Sequence, residues 1–410
     1  MISVDRQLET LCRGIVDLHV RAELEDRLRS GKRLRVKVGF DPTRPDLHLG
    51  HTVLMQKMRQ FQDFGHEVVF VVGDFTAMVG DPTGRNELRP RLTREEVLAA
   101  AQTYQDQAFK VLDRDKTVVR YNSEWLGKLT PHEMIELGAK YTVARMLERD
   151  DFSKRYQENR PIFVHEFFYP LLQAYDSVEL ENDVEIGGTD QLFNLLVGRD
   201  LMPRYGKLAQ IVMTTPILEG TDARLEGGKV VGAKMSKSSN NYVGINEPPF
   251  EMLQKLMLVD DQVVWRFMDL LSARSNDEIA ALRAEVVAGT RGVVDVKEAF
   301  AKEIVARFHC EADAEAAIAR RKSVAAGGLP DRIDEVTVDA GAGVGLFLGK
   351  AIFLAGLAAS ASEGARLVKG GAVHVDGEPI KNDKHELAKG QRYLVRVGSK
   401  NRQFKYVTVG

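Results

Sequence analysis

The sequence predicts an α/β fold built on a doubly wound parallel sheet, followed by helical and small α/β domains. Leu34–Phe40 alternates apolar and polar residues and predicts a strand. Apolar residues recur at helical spacing from Leu49 to Phe64, and the continuous apolar run in Glu67–Gly73 is typical of a buried parallel strand. Together they form a βαβ unit, which places its ligand at the carboxyl ends of the strands.

The elements on either side of this unit are predicted by the same patterns. Residues 1–33 predict one amphipathic helix that ends at Gly31. Capping boxes begin helices at Thr93 and Thr130, and Thr117–Tyr121 predicts a strand between them. Helical patterns from about Gln107 to Arg160 interrupt the alternation of strands and helices, as an insertion would.

The next segments return to the α/β pattern. Ile162–Asp176 predicts an aromatic-rich helix, Val184–Gly188 leads into another helix, and Gln210–Leu218 predicts the last strand. Glu219–Ala233 is rich in glycine and charge, and it predicts a mobile loop.

Four regions follow from these patterns. The predicted domains are an α/β domain over residues 1–246, a helical domain over 247–326, a glycine-rich linker over 327–343 and a small α/β domain over 344–410.

Charge is distributed unevenly over a chain whose net charge is only −2. Residues 344–410 contain 11 Lys+Arg and 5 Asp+Glu, so this domain is basic while the rest of the chain is acidic. A basic domain on an acidic body indicates a polyanionic partner, and a solvated basic face is the alternative. Cys12 and Cys310 have no metal-ligand spacing, which favours the reducing cytoplasm. We expect neither a signal peptide nor a membrane span.

The segment Asp41–His51 has the composition of a phosphate site. It joins the first predicted strand to the first predicted helix, and His48 and His51 flank Gly50 at the helix N-terminus. This end of a helix carries unpaired N–H groups and a partial positive charge, which suit phosphate. A glycine lets a flat ring lie against the backbone, because no Cβ intervenes.

A second segment, Lys234-Met235-Ser236-Lys237-Ser238, adds two lysines far downstream. Either segment alone has a plain structural interpretation as a helix start or a solvated loop. Their occurrence in one chain, with βαβ patterning between them, predicts that both converge on one ATP.

These two segments resemble the signatures of class I aminoacyl-tRNA synthetases. His48-Leu49-Gly50-His51 matches the first signature with Leu for Ile, and Lys234–Ser238 matches the second letter for letter. Within the class, the chain resembles the bacterial tyrosyl-tRNA synthetases over nearly its whole length. The further stretches that carry this resemblance are Gly39–Thr43, Gly80–Gly84, Tyr169–Asp176, Gly187–Gln191 and Ser360–Gly377.

The resemblance implies a Rossmann-like catalytic domain that forms tyrosyl-adenylate from tyrosine and ATP and then transfers tyrosine to tRNA. It assigns Thr43, His48, His51, Lys234 and Lys237 to catalysis. It assigns ATP binding to Gly50, His51, Asp190, Lys234, Met235, Lys237 and Arg85, with Arg89 as a further candidate. Mg²⁺ is expected to accompany ATP, held mostly by phosphates and water.

The resemblance also implies a tyrosine pocket. Asp81, Tyr169 and Gln173 surround the ammonium, Asp176 accepts the phenol, and Gln191 positions the carboxylate. The spacing of Tyr169, Gln173 and Asp176 is i, i+4, i+7, so one helix face presents all three. Lys37 stands where many relatives have a tyrosine that shares the phenol contact. Three explanations are open: the phenol is bound by Asp176 with another partner, the Lys37 ammonium pairs with a buried acid, or the strand lies differently.

Partners follow from the same resemblance. It implies a homodimer formed through the insertion, and a tRNA(Tyr) that contacts the helical domain and the C-terminal module. That module resembles an RNA-binding domain of a small-subunit ribosomal protein.

Three alternatives remain at this point. A tryptophanyl enzyme shares the fold and both signatures but needs no phenol acceptor. An adenylyltransferase acting on a phosphate ester also uses a His-x-Gly-His turn. A non-catalytic RNA-binding protein would not need the intact His48, His51, Lys234 and Lys237.

Overall fold

The computed structural model of the chain describes residues 2–42, 47–81, 93–325, 333–341, 343–398 and 403–410. Three residues of the predicted nucleotide site, Thr43, Arg85 and Arg89, lie outside the described residues. The chain divides into two compact units, Met1–Arg320 and Arg321–Gly410.

A six-stranded sheet forms the centre of the larger unit. The strands of this unit are β1 (Asp17–His19), β2 (Arg35–Phe40), β3 (Glu67–Val72), β4 (Thr117–Tyr121), β5 (Val184–Gly188), β6 (Ile211–Thr215), β7 (Arg224–Glu226) and β8 (Lys229–Val231). The sheet order is β1-β6-β5-β2-β3-β4, and β2 pairs in parallel with both β3 and β5. The chain changes direction across the sheet between β2 and β5, which is where a doubly wound sheet binds its ligand. The predicted fold class is confirmed.

The prediction of one helix over residues 1–33 is wrong. Two helices, α1 (Val4–Cys12) and α2 (Arg21–Arg29), flank β1. Gly14 has φ +71°, and a Cβ there would lie 2.6 Å from a methyl carbon of Leu270. The chain therefore turns at this residue instead of continuing as a helix, and β1 then pairs antiparallel with β6.

The remaining helices of the larger unit surround the sheet and extend beyond it. They are α3 (Leu49–Asp63), α4 (Thr76–Val79), α5 (Arg94–Ala108), α6 (Ser123–Leu126), α7 (Pro131–Ala139), α8 (Val143–Met146), α9 (Asp150–Gln157), α10 (Phe168–Leu180), α11 (Leu192–Arg204), α12 (Pro249–Leu258), α13 (Val264–Leu271), α14 (Asn276–Val287), α15 (Val293–Phe308) and α16 (Glu311–Ala325). The capping boxes predicted at Thr93 and Thr130 begin α5 and α7.

One hydrophobic core joins the sheet to the helices at the end of this unit. Phe61 of α3, Phe267 of α13 and Phe300 of α15 are buried in the same cluster. The helices predicted after residue 247 therefore pack as part of the larger unit rather than as an isolated bundle.

Two segments contain strands where the sequence predicts none. β7 and β8 form a hairpin inside Glu219–Ala233, turning at Gly227 and Gly228, both of positive φ. The loop and the linker were predicted from amino-acid composition alone. A strand of three residues, such as β7 or β8, is too short to show a hydrophobic period. The strand β9 (Asp334–Val338) lies inside the predicted linker 327–343.

The described residues of the smaller unit form a five-stranded sheet, a two-stranded sheet and two short helices. After β9 its elements are β10 (Gly345–Phe347), α17 (Leu348–Leu354), α18 (Ala361–Lys369), β11 (Val373–Val375), β12 (Glu378–Ile380), β13 (Glu386–Ala388), β14 (Arg392–Val397) and β15 (Gln403–Val409). The sheet order is β12-β11-β14-β15-β9, and β9 runs parallel to β15. Within the described part of the chain, no helix is long and apolar enough to cross a membrane.

Candidate active site

A cavity of about 590 Å³ opens at the carboxyl ends of β2, β3 and β5. It lies at the point where the sheet order reverses, as the βαβ pattern predicts. Every described residue of the predicted site lines it: His48, Gly50, His51, Asp81, Tyr169, Gln173, Asp176, Asp190, Gln191, Lys234, Met235 and Lys237.

The first signature forms the N-terminus of α3. His48 is the N-cap residue, and its Nδ1 accepts a hydrogen bond from the Gly50 N–H at 3.2 Å. His51 Nδ1 in turn accepts from the His48 N–H at 3.2 Å. Burial, together with the charges of His51, Lys237 and Lys234, lowers the pKa of His48 to about 3. A neutral imidazole therefore stands at a helix end whose partial charge is positive.

The second signature lies beside the first. Met235 is buried, and its Cβ would lie 3.7 Å from a Cβ added at Gly50. The chain just after the second signature also contacts the first, because the Leu49 N–H donates to the Val243 carbonyl at 3.0 Å. Both lysines of the second signature therefore line the cavity beside the first signature.

One buried amide, Asn241, holds the backbone of this lysine loop. Its Nδ2 donates to Asp222 Oδ1 at 3.1 Å and lies 3.4 Å from the carbonyl oxygens of Ala233 and Lys234. Its Oδ1 accepts from the Ser236 N–H at 2.9 Å. A single side chain therefore connects both sides of the loop.

The helix α10 forms the opposite wall. It presents Tyr169, Gln173 and Asp176 to the cavity, as their spacing predicts. The Tyr169 hydroxyl donates to Asp41 Oδ2 at 2.7 Å, and Asp41 Oδ1 accepts from Thr76. Burial, together with Asp41, raises the pKa of Tyr169 well above its ordinary value. Tyr169 therefore remains a neutral hydroxyl.

Asp176 is buried at the inner end of this wall. Its Oδ1 accepts from Trp125 Nε1 at 2.8 Å, and its Oδ2 lies 3.4 Å from Asn122 Nδ2. Burial raises the pKa of Asp176 to about 7, while Lys37 and the two donors oppose that rise. A buried carboxylate with an ionisation near neutrality is a group typical of functional sites.

A cluster of polar side chains lies between Asp81 and the start of α11. Asp81 accepts from Gln191 Nε2 at 3.0 Å and from Arg149 Nη2 at 3.4 Å. Asn194 donates to Gln191 Oε1 at 3.0 Å. Burial raises the pKa of nearby Asp190, and the charge of Asp81 adds to the effect.

Sequence reasoning missed several residues of the site. Asn122 follows β4 directly and Trp125 lies in the short helix after it. The rule that ligands bind at the carboxyl ends of strands could have indicated both residues. Arg149 and Asn241 come from irregular segments, and no local pattern indicates where those segments lie.

Lys37 is not exposed to the cavity. Its side chain is fully buried, and Nζ lies 3.0 Å from Glu185 Oε1 on the neighbouring strand. Of the three possibilities left open for this residue, the structure has the pair with a buried acid.

Paired signatures at the switch point of such a sheet define a class I tRNA synthetase. The family model of class I tRNA synthetases for tryptophan and tyrosine matches residues 29–324, and the S4 domain model matches residues 348–392. The chain is 51% identical over 403 residues to the tyrosine–tRNA ligase of Nitratidesulfovibrio vulgaris, covering 98% of both chains. It is 49% identical over 410 residues to tyrosine–tRNA ligase 2 of Vibrio vulnificus, covering both chains fully. The chain belongs to the tyrosyl-tRNA synthetase family.

Solved structures show the same fold. A C-terminally truncated mitochondrial tyrosyl-tRNA synthetase of Aspergillus nidulans has a TM-score of 0.64 at 24% identity, covering 78% of this chain and 94% of that one. The tyrosyl-tRNA synthetase of Archaeoglobus fulgidus, complexed with L-tyrosine, has a TM-score of 0.61 at 23% identity, covering 77% of this chain and all of that one.

Proposed function

We propose that this chain activates L-tyrosine with ATP and transfers it to the 3′ end of tRNA(Tyr). The observation that carries the proposal is that one cavity receives both signatures and the polar face of α10. The same cavity thus offers cationic and imidazole groups at one end and a buried carboxylate, Asp176, at the other.

The first step needs no nucleophilic side chain. The tyrosine carboxylate, ionised at neutral pH, attacks the α-phosphorus of ATP, and the bond from that phosphorus to the pyrophosphate oxygen breaks. The enzyme's contribution is to position both substrates and to stabilise negative charge. We assign Thr43 and His48 to the α-phosphate region and Lys234 and Lys237 to the departing pyrophosphate.

The adenosine and the tyrosine occupy the rest of the cavity. Gly50, His51 and Met235 hold the adenosine, Asp190 lies near the ribose, and Arg85 contributes a further positive charge.

Tyrosine is recognised at both ends. Asp81, Tyr169 and Gln173 bind its ammonium, and Gln191 orients its carboxylate. Asp176 accepts the phenolic hydrogen bond. Because such a buried acceptor would be unpaired with phenylalanine, we expect strong rejection of that amino acid, an effect already known for tyrosyl-tRNA synthetases.

Mg²⁺ accompanies ATP in this proposal. Within the described ranges, no three His, Cys, Asp or Glu residues are grouped to hold a metal. The nucleotide end instead offers two lysines and the neutral imidazole of His48, which suits an ion bound through phosphate oxygens and water.

Assembly and tRNA binding complete the proposal. The region between β4 and α10 exposes large apolar side chains, which suit the face of a homodimer: Ile135, Val143, Tyr156, Phe163 and Val164. The basic S4 domain and the helices after residue 247 bind tRNA, mostly through phosphates, so binding weakens with salt. We place the enzyme in the cytoplasm.

The test is tyrosine-dependent exchange of labelled pyrophosphate into ATP, measured with each of the twenty amino acids. We expect exchange with tyrosine only, and its loss in Asp176→Ala. Exchange with tryptophan instead, or with no amino acid, would contradict the proposal. Sedimentation of wild type and Val164→Asp tests the dimer, and an unchanged mass for the variant would contradict the assigned face.

A further inference from the structure

Lys37 is a buried cation with a complete set of acceptors. It lies on β2, and its side chain and that of Glu185 on β5 are both fully buried. Besides Glu185, its Nζ donates to the Gln173 carbonyl at 3.0 Å and to Ser177 Oγ at 2.8 Å. Three acceptors match the three N–H bonds of an ammonium group.

Glu185 completes the network from the other side. Its Oε1 accepts from Gln173 Nε2 at 3.3 Å, and its Oε2 accepts from Ser177 Oγ at 3.0 Å. Asn194 donates to Gln173 Oε1 at 3.1 Å. Gln173 is therefore held at its carbonyl by Lys37 and at its amide by Glu185 and Asn194, which fixes the direction in which that amide faces.

We propose that the Lys37–Glu185 pair positions the tyrosine-recognition face of α10, with Lys37 as a positioning residue for the substrate. This inference rests on the proposed function. Gln173, Asp176 and Glu185 line the cavity, whereas Lys37 is not among the lining residues and acts through them.

Stability alone does not explain such a pair. Buried ion pairs are often no more stabilising than well-packed apolar residues of similar size. A buried pair whose hydrogen bonds end on two successive turns of the substrate-facing helix instead serves to fix that helix in one register.

The same pair sets the charge around the phenol acceptor. Three titratable groups face Asp176: Lys37 on β2, Glu185 on β5 and Tyr169 on the same helix as Asp176. The positive charge of Lys37 opposes the burial that raises the pKa of Asp176, while Glu185 raises that pKa. Loss of Lys37 should therefore leave Asp176 protonated up to a higher pH, and a protonated carboxyl is a weaker acceptor for the phenol.

The first test is the double variant Lys37→Met, Glu185→Leu in the full chain, which removes both charges together. We expect the KM for tyrosine in pyrophosphate exchange to rise about tenfold or more, as expected when a hydrogen-bonded recognition group is misplaced. The KM for ATP should stay near wild type. Because the charge of Lys37 affects the pKa of Asp176 more than the opposing charge of Glu185 does, the acid limb of kcat/KM for tyrosine should still move to higher pH when both charges are removed.

A second variant, Lys37→Gln with Glu185→Gln, keeps polar pairing and covers the case in which the apolar variant does not fold. It should retain more of the tyrosine affinity and show the same displacement of the acid limb. The matched control is Lys57→Met, which removes another buried lysine, 5% exposed, whose Nζ donates to uncharged oxygens of Thr10, Arg13 and Gln60. We expect its KM for tyrosine to be unchanged.

A tyrosine KM and acid limb equal to wild type in the folded charge-free variants would overturn the inference. An equal rise in Lys57→Met would overturn it as well, because the effect would then be general destabilisation. Failure of the wild-type chain to exchange with tyrosine would instead contradict the proposed function.

Discussion

Gly50 lies between the His48 imidazole and Met235 of the second signature. A Cβ at this position would lie 3.0 Å from both Nδ1 and Cε1 of the His48 imidazole, which is tighter than an ordinary contact. We expect Gly50→Ala to displace the ring and raise the KM for ATP about tenfold or more, a misplacement of the kind that costs catalysis. Tyrosine binding, measured by calorimetry without ATP, should be unchanged; an unaltered ATP KM would contradict the assignment.

Asp176 should make folding stability depend on pH. Its pKa is raised to about 7 in the folded chain, whereas an aspartate in an unfolded chain has a pKa of about 3.9. The folded state therefore binds more protons between these values, and its stability falls as pH rises from about 4 to about 7. The substitution Asp176→Asn removes the titrating group and therefore this decrease in stability with pH. Thermal unfolding at pH 5 and pH 8 should show the variant gaining stability relative to wild type at the higher pH.

The pocket residues show which parts of a site a sequence can reveal. Tyr169, Gln173 and Asp176 could be grouped because the helical repeat alone puts them on one face. Arg149 could not, because its contact with Asp81 depends on how the insertion folds back onto the sheet. Lys37 could be flagged as unusual, but its partner could not be named. Glu185 lies on β5, whose pairing with β2 joins segments far apart in the sequence and has no local pattern.

The lysine loop is held as an element by Asn241. We expect Asn241→Ala to free the loop backbone, because four hydrogen-bonding groups on Asp222, Ala233, Lys234 and Ser236 lose their common partner. The KM for ATP should rise and kcat for pyrophosphate exchange should fall, while tyrosine affinity remains. The matched control is Asn240→Gly in the adjacent exposed position, where glycine tolerates the φ of +50°; this variant should behave as wild type. Equal behaviour of the two variants would contradict this role.

Elements with a long regular pattern were predicted well. β2, α3 and β3 each carry enough apolar residues to define a period, and their observed bounds agree with the predicted ones to within one or two residues. β1 and β9 were missed because each is short and depends on a distant partner, β6 or β15, for its strand geometry. Non-local pairing of this kind has no local signature.

At the scale of the whole molecule, we expect adenylate formation and tRNA charging to be separable. A chain that ends at residue 325 keeps the complete cavity, so pyrophosphate exchange with tyrosine should match wild type. Charging of tRNA(Tyr) should fall about tenfold or more, because the basic S4 domain no longer adds phosphate contacts. The fall in charging should be smaller at low salt. Equal loss of both activities would contradict this division of labour.

The structure also indicates at which residue the truncated chain should end. A chain that ends at residue 343 retains β9 but loses β15, the strand with which β9 pairs. An unpaired strand with free N–H and C=O groups promotes association between chains. The longer truncation product should therefore aggregate more than the shorter one, as measured by light scattering.

The pairing of β1 with β6 also has a consequence for the newly synthesised chain. Asp17 and Thr214 are hydrogen-bonded although they are 197 residues apart in the sequence. At ordinary translation speeds, β1 leaves the ribosome about 10 to 40 seconds before its partner does. The strand β1 can therefore take its place in the sheet only after β6 has been made, and throughout this interval its unpaired edge is accessible to chaperones and proteases.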